Sequence, residues 1–174
     1  MQGGQSNPRI YVACLASYNV GHLYGAWIEA RHGAEAIRQG IRRMLARSPV
    51  EGAEEYAIHN YEGFEGAPIH EYASPETVAE LAAFIVEHGA LGAAILGQFA
   101  GDMDQAQEAM TARYLGSYPS LADYMQEATE EAAAIPEPIR FYVDWDAMAR
   151  DAELSGDLFT IRETFDTVHV FAGR

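Results

Sequence analysis

The chain has no lysine. All 11 of its basic residues are arginine, set against 26 aspartates and glutamates, for a net charge of −15 and a pI of about 4.6. Proteins that hold DNA line their grooves with Lys and Arg, so direct binding to nucleic acid is not expected of it. Cysteine is almost absent too. The single Cys14 excludes an internal disulfide framework, and its place inside the apolar run IYVACLASY marks it as a small buried residue rather than a nucleophile. No apolar run approaches the 18 or so residues of a membrane span, and the start MQGGQSNPR lacks a basic segment followed by an apolar one. A soluble, cytoplasmic protein without a membrane partner is expected.

Arrangements that carry chemistry are missing as well. His22, His32, His59, His70, His88 and His169 never pair at i, i+4 around an acid, as the helix of a zinc hydrolase requires. Asp102-x-Asp104 opens like a calcium loop, but Gln107 replaces the glycine of its sixth position and Arg113 the bidentate glutamate of its twelfth. Neither G-x-G-x-x-G nor G-x-x-x-x-G-K-[ST] occurs. Carboxylate pairs such as glycoside hydrolysis uses are unavoidable among 26 acids, and sequence gives no distance between them. No catalytic residue, metal ligand or cofactor site is expected, and the chain is read as a non-enzyme.

What the chain does have is acid, unevenly placed. The first 50 residues hold six arginines against Glu29 and Glu35 and are net +4, so the remainder carries −19. Between Arg47 and Arg113 lie 65 residues with 12 acids and no Lys or Arg; the stretch EGAEEYAIHNYEGFEGAPIHEY alone has six Glu. An apolar fraction of 49% and 17 Phe and Tyr set it apart from a disordered acidic tail.

Periodicity predicts an α+β fold. Arg9 to Leu15 and Leu23 to Ala30 read as paired strands around a turn at Tyr18-Asn19-Val20-Gly21, and YAIHNY (56–61) as a third strand. Ala34 to Arg47 reads as a helix, with apolar Ala34, Ile37, Ile41, Met44 and Leu45 at helical spacing, Arg38, Arg42, Arg43 and Arg47 around the rest, and Pro49 ending it. Glycines and Pro68 mark a break at 63–68. Ser74-Pro75-Glu76 starts a helix that Gly89 ends, followed by helices over Leu91 to Phe99 and Asp104 to Tyr114, the last stopped at Gly116. Ser120 to Ala134 is amphipathic, Asp144 caps a helix through Ala152, and Leu158 to Thr164 and Thr167 to Phe171 close the chain as strands.

Three accounts of the acid stand side by side. One is a solvated face that maintains solubility. Another is adaptation to high salt, which fits poorly with a net-positive first 50 residues and with 18 Glu against 8 Asp. The third is that carboxylates stand in for phosphates. Glu76, Glu80 and Glu87 fall within about 40° of one another on a helix, and Glu76 and Glu80 are about 6 Å apart along its axis. Charge alone does not separate a mimic of this kind from an acidic protein that binds another basic, nucleic-acid-associated factor.

Three blocks, IYVACLASYNVGHLYGAWIEA, EEYAIHNYEGF and IPEPIRFYVDWDAMARDAELSGDLFTI, resemble the ArdA antirestriction family in order and separation, over nearly the whole chain from Arg9 to Phe171. The resemblance implies a DNA mimic carried on mobile elements: an elongated, acidic homodimer that fills the DNA groove of type I restriction-modification enzymes, built by their methyltransferase and specificity subunits. It implies three small subdomains in a row, here 1–62, 63–103 and 104–174, with dimerisation through the last, where the strand around Leu158 to Thr164 is a candidate pairing edge. It also implies an antirestriction motif within Asp123 to Pro136. The acids expected to form the partner-binding surface are Glu62, Glu65 and Glu71 at the crossing between the first two parts, and Glu76, Glu80 and Glu87 on the helix that follows. Asp102, Asp104 and Glu108 continue it, then Asp123, Glu127, Glu130 and Glu131, and last Asp144, Asp146 and Asp151. The arginine-bearing helix departs from that acidic pattern. It reads as a solvated face that complements its own helix dipole, as an element that docks against an acidic surface, or as a part of the rod that the enzyme does not cover.

Overall fold

The computed structural model describes residues 7–174. It is α+β, with two small antiparallel sheets in two compact units, Met1–Ala106 and Gln107–Arg174.

In the first unit β1 (Arg9–Cys14) lies between β2 (Gly25–Glu29) and β3 (Tyr56–Glu62). Strand alternation puts Ile10, Val12 and Cys14 on the covered face, with Ile28 of β2 and Ile58 of β3 also buried. A bulge between Tyr11 and Val12 shifts the pairing with β3. Between β1 and β2, where the sequence reads as a bare turn, the chain forms a short helix α1 (Leu15–Asn19) before turning at Gly21. Helix α2 (Ala34–Ala46) presents Ile37, Ile41 and Met44 to the core. The crossing after β3 is packed rather than loose: Phe64, Ala67 and Ile69 are buried, and the Ile58 amide donates to the Glu71 carbonyl at 2.8 Å.

Helix α3 (Pro75–Gln98) begins as its sequence dictates. Ser74 accepts from the Thr77 amide at 3.1 Å and proline occupies the first turn. At Gly89 the backbone takes φ 62°, ψ −147°, a combination essentially restricted to glycine. The first helical segment therefore ends there as expected, but the second follows directly. α3 runs 24 residues and contains an 18-residue stretch of mean hydropathy 1.5, long and apolar enough to cross a membrane, although no uninterrupted apolar run of that length is present. Here it is kinked, and nine of its residues are buried within the unit.

Helix α4 (Met103–Glu108) leads into a π-helical turn (Ala109–Arg113) and then β4 (Tyr114–Tyr118), whereas the spacing predicts one helix over Asp104 to Tyr114 stopped at Gly116. The pairing partner explains the difference. Tyr114 and Tyr118 lie opposite Phe171 and Val168 of β6, and the Tyr114 and Phe171 rings are 5.1 Å apart, so cross-strand packing overrides local helical spacing. β6 (Thr167–Ala172) is central in the order β4-β6-β5, leaving β4 and β5 (Leu158–Thr164) at the edges. Helices α5 (Leu121–Ala132) and α7 (Trp145–Ser155), with the short α6 (Glu137–Arg140) between them, complete this unit. Its core gathers Leu121, Ala149, Val168 and Val170, with Tyr118, Met125 and Leu158 packed around them.

Phe64 is 1% exposed. Phe64→Ala is expected to cost about 3–5 kcal/mol and Ser120→Ala, which removes a cap, about 1 kcal/mol; urea unfolding followed by circular dichroism checks both magnitudes and their order.

Candidate partner-binding acidic surface

Carboxylates are held outside the cores by the same patterning that builds them. On α3 the residues Val78, Leu81, Ala82 and Ile85 are buried, and Glu76, Glu80 and Glu87 occupy the opposite, exposed side. On α5 Leu121 is buried while Asp123, Glu127, Glu130 and Glu131 line one shallow depression with Gln126. Fifteen of the 16 acids expected at the surface are exposed, and Glu130 is half-buried.

Several of them also support local structure. The Asp123 carboxylate accepts from the Ser120 hydroxyl while the Asp123 amide donates to that same hydroxyl at 3.1 Å, so Ser120 caps α5 and holds the Asp123 side chain against it. Asp102 accepts from the Gln105 amide at 3.0 Å at the start of α4, and Asp144 from the Ala147 amide at 2.9 Å at the start of α7. Glu127 accepts from the Tyr118 hydroxyl at 3.3 Å. Burial, and after it the Glu127 charge, pushes the Tyr118 phenol above its ordinary pKa.

Arginine neutralises part of the acid, which sequence alone does not reveal. Arg9 donates to Glu62 at 2.8 Å and its guanidinium lies 4.6 Å from the Trp27 ring. Arg38 of α2 forms ion pairs with Glu35 and with Glu76 of α3, and Arg42 donates to Glu35 at 2.7 Å. The Arg42 hydrogen bond holds the Glu35 carboxyl below the ordinary carboxylate range. Whatever stability that pair adds is therefore present above the unfolded carboxylate pKa and lost as pH falls through the lowered one. Further along, Glu108 and Glu130 sit 3.9 Å from Arg113 and Arg140. Of the α3 row, then, Glu76 is compensated, whereas Glu80 and Glu87 face solvent with no arginine in ion-pair range among the described residues. By unit, six arginines meet 13 carboxylates in the first, leaving −7, and five meet 13 in the second, leaving −8.

Among the described residues no three His, Cys, Asp or Glu side chains are grouped to hold a metal ion. Cys14 is fully buried, its Sγ 3.3 Å from the Ser48 hydroxyl. His169 links the Tyr114 hydroxyl at 2.9 Å and the Glu163 carboxylate at 3.0 Å, tying the three strands of the second sheet. The sequence reading also missed a set of exposed apolar side chains in the second unit. Phe141 (87% exposed), Tyr142 (86%) and Phe165 (96%) stand in solvent with Ile139 and Leu154. Phe141 and Tyr142 fall between α6 and α7, and Phe165 in the turn between β5 and β6, so no hydrophobic period points to them.

Both small sheets are thus clothed in helices and loops whose carboxylates face solvent. The family described as Antirestriction protein (ArdA) matches residues 10–167, and the chain belongs to it. No curated protein matches. Membership gives the chain an antirestriction function directed at restriction-modification enzymes.

Glu127→Gln is expected to lower the Tyr118 pKa without returning it to the ordinary value, because burial persists; the ring-carbon NMR shift of Tyr118 followed through an alkaline titration checks this.

Proposed function

We propose that the protein is a non-catalytic DNA mimic that occupies the DNA-binding groove of a type I restriction-modification enzyme, between its methyltransferase and specificity subunits. The carrying observation is the exposed carboxylate set, above all the depression on α5 where Asp123, Glu127, Glu130 and Glu131 converge. A groove lined by Lys and Arg for DNA meets one charge per roughly 1.7 Å of duplex axis. Carboxylates one helical turn apart, about 6 Å along the axis, offer such a groove repeated negative charge without a scissile phosphate. The 16 acids named above, from Glu62 to Asp151, are the proposed contacts, and the proposed working division of the chain is 1–62, 63–103 and 104–174. Because restriction enzymes meet DNA inside the cell, cytoplasmic action belongs to the same reading.

We also propose that it acts as a homodimer formed by the C-terminal region. Supporting this are the edge position of β5, whose outer main-chain groups have no described strand beside them, and the exposed Phe141, Tyr142 and Phe165.

The decisive measurement is displacement of a labelled recognition-site duplex from a type I methyltransferase-specificity complex. Excess protein is expected to release the duplex at low salt and to do so less well as salt rises, since exposed ion pairs are screened; duplex that stays bound at low salt sinks the reading. Joint reversal of Asp123, Glu127, Glu130 and Glu131 to Lys should weaken inhibition stepwise with the number changed, whereas Glu80→Gln alone should change it little. Phe141→Glu combined with Tyr142→Glu is expected to shift the sedimenting species from dimer to monomer, and a monomeric parent protein refutes the dimer outright.

A further inference from the structure

We propose that the groove between the outer edge of β2 and helix α2, in the first unit, binds an extended acidic peptide segment of a partner protein, which adds to the sheet as a fourth strand. The site is separate from the carboxylate surface and does not rest on the DNA-mimic reading.

The phase of β2 is fixed by two hydrogen bonds at its ends. The Cys14 amide donates to the Tyr24 carbonyl and the Ala30 amide to the Pro8 carbonyl, each at 2.9 Å. In an antiparallel pair, alternate residues turn both main-chain groups toward the partner strand. Ala26 and Ile28 therefore face β1, and Gly25, Trp27 and Glu29 direct theirs outward. β2 is an edge strand, and no described strand lies on that side. Beside this edge runs one stripe of α2, with Ala36, Gly40, Arg43, Met44 and Arg47 lining the groove. At Gly40 an added Cβ would come within 2.9 Å of the Ile28 side chain, so the missing side chain lets Ile28 itself form the apolar floor.

The far half of the stripe is cationic. Arg43 and Arg47 are one turn apart, about 6 Å along the helix axis. Residues i and i+2 of a strand, which share a face, are about 6.6–6.8 Å apart. Acids at alternate positions of an added strand thus meet both guanidinium groups while the main chain pairs with β2. These arginines are available: both are exposed, Arg43 makes only a 3.4 Å bond to the Gln39 carbonyl, and neither has a carboxylate in ion-pair range among the described residues. The rim acid Glu29 does not cancel them, because Arg31 at 3.2 Å and His32 at 3.1 Å already hold it. The unit's net negative charge opposes an acidic partner at long range, so recognition depends on the main-chain ladder together with the two arginines. Strand addition with side-chain pockets works in this way elsewhere.

The test is fluorescence anisotropy of the full chain with a fluorescein-labelled peptide of alternating Val and Glu, about ten residues long. Binding is expected, weakened about tenfold or more both by N-methylation of alternate peptide amides and by the double variant Arg43→Glu, Arg47→Glu. Circular dichroism shows whether that variant stays folded, and the methylated peptide tests the ladder on unaltered protein. A Val-Lys peptide should not bind. Failure of the Val-Glu peptide to bind overturns the proposal, as does equal binding of its N-methylated form. A short DNA duplex that binds the parent chain but not the double variant, with the peptide inert, reassigns the groove to phosphate and overturns it equally.

Discussion

A chain carrying −15 has to fold against its own repulsion, and apolar burial is what opposes it. The only charged side chain buried among the described residues is Arg113; every carboxylate remains at least partly in water. That separation governs the rest. Each unit covers one face of a three-stranded sheet with helices, so each strand and helix has one side on which acid is forbidden and one on which it accumulates. The acidic surface is the complement of two cores.

Much of this could be read from the chain because it is set by local chemistry. Ser74, Ser120 and Asp144 cap α3, α5 and α7 through bonds that span three residues. Strand alternation marked β1, β3, β5 and β6. What escaped was decided at a distance. β4 exists because Tyr114 and Tyr118 pair with a strand about 50 residues later, and the ion pairs of Arg9 with Glu62 and Arg38 with Glu76 join residues from different elements. For the surface, sequence periodicity showed that the acids are exposed. It did not show that Asp123, Glu127, Glu130 and Glu131 share one depression, or that Glu76 is compensated.

Those ion pairs also account for most of the first 50 residues' positive charge. Arg9, Arg31, Arg38 and Arg42 each pair with a glutamate of the same unit. Exposed pairs like these add little stability, because water and salt screen them. Their larger effect is on the map of charge: acid near them is quenched, and acid on α5 is left largely unpaired. The net charges of the two units are nearly equal, but their surfaces differ in kind, mixed in the first and more uniformly negative along the α5 depression of the second.

The kink in α3 imposes a different kind of restriction. Carboxylates on an exposed face can be exchanged between Glu and Asp, or moved by a turn, with little effect on the core. The backbone at Gly89 has no such freedom, since any side chain would have to adopt a conformation that residues with a Cβ essentially never take. Every single-base change at a glycine codon that alters the residue adds a side chain or ends translation. Under drift, position 89 should therefore stay fixed while the acids around it turn over, so that a residue with no charge and no partner is among the slowest-changing in the helix.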